Sequence, residues 1–111
     1  MIYLTDKKCV ACEGGVPPMT KEEIDVLHPQ IPAWYVSDDG RFINREFVFK
    51  DFKEALAFTN KVGELAESEG HHPDLFIHDY KKLAITLTTH AIKGLSENDF
   101  ILAAKIDLLE V

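Results

Sequence analysis

The chain has 111 residues, 46% of them hydrophobic, with 12 basic residues against 19 acidic ones and a net charge of −7. That is material for one domain with its own core, and an acidic chain with no Lys/Arg run longer than two lacks the footprint of a nucleic-acid binder. No apolar run is long enough to span a bilayer and the start lacks a secretory segment, so a cytoplasmic protein without a membrane partner is expected.

Residues 1–19 read as an N-terminal arm, with an apolar start, a Cys9-x-x-Cys12 pair and a Gly/Pro loop running to Pro18. A thioredoxin-like site would set such a pair between a strand and a helix, and a structural zinc would need a second ligand pair. The plain expectation is two reduced thiols on a surface arm; a labile metal or redox role is the alternative.

Residues 20–111 read as a single domain. Thr20 and Glu23 have capping-box spacing, and Ile24 and Leu27 give the short helix one buried edge before Pro29 ends it. Ala33–Ser37 reads as a strand, Asp39-Gly40 as a hairpin turn and Arg41–Phe49 as the partner strand. Trp34, the only tryptophan, is either core or a flat wall for a planar ligand. Asp51 and Glu54 open the longest helix, whose apolar row is Phe52, Ala55, Leu56, Thr59, Val62, Gly63 and Ala66, with Gly70 as its left-handed cap. Glu67 falls at the border of that row.

The next stretch carries the chemistry. Glu67-Ser-Glu-Gly-His-His-Pro-Asp74 leaves the helix with two adjacent histidines, and Pro73 holds His72 out of helical geometry. Imidazole both gives and takes protons near neutrality, so His71, His72 and a third histidine, His90, are expected to form an acid/base site. Leu75–His78 and Leu83–His90 read as two further strands, with His90 ending the polar face of the second. Ser96 caps the last helix, with Asp99 at its third position. Apolar residues from Phe100 to Val111 cover more than one stripe of that helix, leaving Ala103, Asp107 and Glu110 outside; the surplus suggests a subunit interface. The order of elements, α-β-β-α-β-β-α, predicts an α+β fold: a four-stranded antiparallel sheet with three helices on one face.

These residues carry a resemblance. Glu67, His71-His72-Pro73, Tyr80, His90 and Asp99, at their spacing, resemble the signature of the pterin-4a-carbinolamine dehydratases. The likeness runs from about Cys9 to Asp107 and includes the Cys-x-x-Cys-Glu-Gly-Gly arm, Trp34, Phe47–Phe52, and Thr89-His90 followed by Gly94–Ser96. It implies a hydro-lyase that dehydrates 4a-hydroxytetrahydrobiopterin to the quinonoid dihydropterin, recycling the pterin of aromatic amino acid hydroxylases. It also implies no metal or organic cofactor, and a homodimer or homotetramer. On this reading His71 and His90 are the acid and base, His72 binds or orients substrate, and Pro73 shapes the turn. Trp34 lines the pocket, and Asp99 and Glu67 hold His90 and His71 respectively. Two competing readings are a non-catalytic relative, acting in assembly or as a transcription-coactivator-like dimer, and a metal module built on Cys9 and Cys12.

Overall fold

The computed structural model describes residues 3–10 and 16–109. Helix α1 (Lys21–Leu27) starts with the capping box that its sequence predicts: Glu23 N–H donates to Thr20 Oγ1 at 3.2 Å, and Thr20 N–H donates to Glu23 Oε1 at 2.9 Å. Strands β1 (Tyr35–Val36) and β2 (Ile43–Val48) follow, then helix α2 (Phe52–Glu69), strands β3 (Asp74–His78) and β4 (Lys82–Leu87), and helix α3 (Glu97–Asp107). The strands form one antiparallel sheet in the order β1-β2-β4-β3. The α+β architecture expected from the element order is the one observed.

Strict alternation in β4 sorts the two faces of the sheet. Leu83, Ile85 and Leu87 are fully buried, while Lys82, Ala84 and Thr86 between them are only partly covered. Cross-strand register puts Ile43, Arg45 and Phe47 of β2, and Leu75 and Ile77 of β3, on the covered face. All three helices add their buried residues to the core on that face, α1 through Ile24. The other face, with Glu46, Phe76 and His78, carries no helix of the described residues; His78 Nε2 sits 2.7 Å from Glu46 Oε2, and the ring stacks on Phe76.

Three sequence expectations shift in the fold. The buried row of α2 is Ala55, Phe58, Val62 and Ala66, whereas Phe52 and Leu56 are 49% and 44% exposed. Phe58 decides that rotation by packing its ring against Phe47 and Phe49, with centroids 4.9 and 5.3 Å away. Helix α3 is buried on nearly every side, Ala103 included. Within the chain α2 packs against it, and so does a 3-10 turn of the arm, Leu4–Asp6, with Leu4 in the core. Finally, the fourth strand stops at Leu87. Thr89 and Gly94 then exchange N–H···O contacts of 2.9 and 3.4 Å, closing a loop in which His90 begins a 3-10 turn rather than ending a strand. Gly94 is required there, because a Cβ would meet Pro18 Cβ at 2.6 Å.

Candidate active site

Three loop ends meet beside the N-terminus of α3. Gly70, at φ 68°, turns the chain sharply off the end of α2, and its left-handed conformation delivers His71 and His72 to the surface beyond the helix. Pro73 follows, and β3 begins one residue later at Asp74. His71, His72 and His90, with Thr88 and Thr89, line one cleft of about 230 Å³. The expected trio is brought together.

His71 is the most constrained of the three. Its Nε2 lies 2.6 Å from Asp99 Oδ1, with the two side chains 12% and 0% exposed. Oδ2 of Asp99 accepts from Thr89 Oγ1 at 2.8 Å and from the Ser96 N–H at 3.0 Å. With Oδ2 of Asp99 already taking two donors, a charged carboxylate at this place accepts from His71 through Oδ1 as well. Local sequence accounts for the arrangement: Asp99 occupies the third position of a helix, where an acid caps the first turn, and the same group doubles as the support of His71.

The supporting carboxylates are distributed differently from the expectation. Asp99 holds His71, not His90, because the α3 N-terminus runs beneath the loop leaving α2. Glu67 pairs with His72 at 2.7 Å, and both side chains are largely exposed, so this contact contributes only about 0–1 kcal/mol. His90 is exposed, and its ring makes no hydrogen bond among the described residues; it also borders a second cleft of about 400 Å³ with Arg41, Asp74 and Lys93.

Trp34 is not at the cleft. It is 1% exposed, and its indole N–H donates to Asp107 Oδ1 at 2.8 Å, beside an Arg45–Asp107 ion pair of 2.6 Å. A ring so fully enclosed has no face to offer a ligand, and the core reading of this residue holds. The cavity of about 540 Å³ between α1 and the β1–β2 turn exceeds the histidine cleft in size, yet none of the three histidines lines it. Chemistry, not volume, selects the site.

Sequence reasoning missed three residues close to the trio. Glu69, part-buried with its side chain 6% exposed, accepts from Lys105 Nζ at 2.8 Å and from Cys9 N–H at 3.0 Å. Seven positions after Val62, it continues the true buried row of α2, a signal hidden by the misplaced stripe. Asn98 and Val10 also line the cleft. Cys9 is half-buried with Sγ 3.6 Å from the Asn98 carbonyl, and burial, aided by the nearby Glu69 carboxylate, pushes its thiol up to about 12. A thiol so resistant to ionisation is a poor nucleophile and metal ligand. Among the described residues no group of three His, Cys, Asp or Glu side chains is placed to hold a metal ion; Cys12 lies outside them. No helix of the described residues is long and apolar enough to cross a membrane.

A model of the family described as "Pterin 4 alpha carbinolamine dehydratase" matches residues 17–109. The chain belongs to this dehydratase family. A "Putative pterin-4-alpha-carbinolamine dehydratase" of Halorhodospira halophila (strain DSM 244 / SL1) is 49% identical over 106 residues, 96% of each chain. A protein of the same name from Aromatoleum aromaticum is 52% identical over 104 residues, covering 94% of this chain and 92% of its own. Among solved structures, the "transcriptional coactivator/pterin dehydratase" of Brucella melitensis superimposes with a TM-score of 0.74 at 32% identity, covering 81% of this chain and 95% of its own. A pterin dehydratase-like protein described as a RuBisCO assembly factor shares the fold at 22% identity, with a TM-score of 0.56 over 68% of this chain. The resemblance drawn from the histidine signature is thus the family to which the chain belongs.

Proposed function

We propose that this chain is a pterin-4a-carbinolamine dehydratase acting by histidine acid/base catalysis. The reaction removes a hydroxyl from C4a and a proton from N5 of 4a-hydroxytetrahydropterin, giving quinonoid dihydropterin and water. The C4a–O bond breaks as the departing hydroxyl takes a proton, and the N5 lone pair closes the C4a=N5 bond as its proton leaves. One group must give a proton and another must take one, which two separately placed imidazoles can do without net proton exchange with solvent. His71 and His90 are the pair proposed for those transfers, and His72 on the rim orients the ring. Together with family membership, the observation that carries this reading is His71 pinned by the buried Asp99 in a cleft shared with two further imidazoles. The physiological role that follows is recycling of the pterin used by aromatic amino acid hydroxylases.

The test is water loss from freshly generated 4a-hydroxytetrahydrobiopterin, followed against the spontaneous rate. Wild type accelerates it, and His71→Ala and His90→Ala each reduce kcat by about 100-fold or more. Wild type no faster than buffer would contradict the enzymatic reading. Full activity in both variants would contradict only the residue assignment.

A further inference from the structure

The arm makes contacts beside the cleft that the dehydration chemistry leaves unexplained. Residues 9 and 10 lie where the end of α2 meets the start of α3. Val10 N–H donates to Asn98 Oδ1 at 3.0 Å, and Asn98 Nδ2 donates back to the Val10 carbonyl at 2.5 Å. One amide side chain thereby satisfies both backbone groups of one residue, as a neighbouring strand would. One residue earlier, Cys9 N–H donates to Glu69 Oε1 at 3.0 Å while Lys105 Nζ holds Oε2 at 2.8 Å. Lys7 adds an ion pair to Glu97 at 2.8 Å.

Burial makes this a built attachment rather than a chance contact. The Glu69 side chain is 6% exposed and Asn98 is 5% exposed. A carboxylate and an amide at such depth are costly unless their polar atoms find partners, and the arm's main chain is a partner for both. Val10 is itself 72% exposed and lines the cleft that holds His71, His72 and His90. An apolar side chain held at a polar cleft by two main-chain hydrogen bonds contributes little to a core, but it offers a planar heterocycle an apolar surface.

We propose that Val10 is a substrate-contacting wall of the pterin cleft, and that Asn98 and Glu69 are positioning residues that clip the N-terminal arm in place to supply it. The proposal rests on the dehydratase reading and adds the arm to that site. It assigns Cys9 a part as well: its thiol fills the seam against Asn98 while its amide anchors to Glu69.

The experiment is steady-state dehydration of 4a-hydroxytetrahydrobiopterin by the full chain carrying Val10→Ala, Val10→Ile or Asn98→Asp. Because Val10 is exposed, its substitution leaves folding intact, so its kinetics decide the matter even if Asn98→Asp folds poorly. Val10→Ala should raise KM about three- to ten-fold with kcat within about two-fold of wild type, and Val10→Ile should restore KM. Asn98→Asp, which turns the donor facing the Val10 carbonyl into an acceptor, should raise KM at least as much. An arm with a purely structural role would lower thermal stability and leave KM unmoved. Wild-type turnover with an unchanged KM in Val10→Ala would overturn the arm's part and spare the dehydratase reading. A wild type no faster than buffer would overturn both.

Discussion

His71 and Asp99 form the contact on which the proposed chemistry depends most. Asp99 is fully buried with three donors aimed at its two oxygens, so replacing it by asparagine leaves at least one donor facing an amide NH2. Asp99→Asn should therefore lower stability by about 1–3 kcal/mol. It should also lower kcat by about 10-fold or more even where the variant is fully folded, since His71 loses the buried carboxylate that holds its ring. Unchanged kcat in folded Asp99→Asn would remove the aspartate from the mechanism. The histidines themselves were legible in the sequence, because an adjacent pair before proline, a third histidine and an acid at a helix start fall into a specific signature. Which carboxylate meets which imidazole was not legible. That pairing depends on how the ends of α2 and α3 cross, a relation between segments 28 residues apart.

Among the elements, α2, α3 and the arm act as one assembly, and Glu69 joins all three. Its carboxyl is held below the ordinary range: burial alone would push it up, but the hydrogen bond from Lys105, the Cys9 N–H and the charges of Lys105 and Lys8 outweigh that. A depressed value in the folded state means the stabilisation is complete above the ordinary value of 4.5 and is lost as pH falls through the lower folded one. The difference in denaturant midpoint between wild type and Glu69→Gln should be greatest near neutral pH and shrink as pH falls below the ordinary value of 4.5. A difference that stays constant across that range would rule out the charged form as the source of the clamp. Element existence and order were readable from caps and periodicity, with Thr20, Asp51, Gly70 and Ser96 marking helix ends. The rotation of α2 and the all-round burial of α3 were not. Phe52 and Phe58 both suit a helix row, and only the ring packing of Phe58 on Phe47 and Phe49 separates them. Nor did the sequence show that the arm's Leu4 joins the core beside α3.

Across the whole molecule, the sheet has one covered face, and the two polar networks on that side serve different ends. Near β1 and the end of α3, Trp34, Arg45 and Asp107 join distant parts of the chain through the 2.8 and 2.6 Å contacts at Asp107 Oδ1. Near the start of α3, Asp99 serves the cleft. Trp34→Phe keeps the core filled but removes the indole donor, so it should lower stability by about 1–3 kcal/mol and leave kcat and KM alone. A change in KM without loss of stability would return Trp34 to the ligand's side.

In the proposed mechanism two imidazoles handle the two protons of one dehydration step. The measurement that meets it most directly is a double-mutant cycle on kcat for 4a-hydroxytetrahydrobiopterin, comparing His71→Ala, His90→Ala and the combined variant at one pH. Groups acting as a unit are not additive, so the double variant should be within about 10-fold of the slower single variant. Losses that multiply independently, or wild-type turnover in either single variant, would contradict a paired role for His71 and His90.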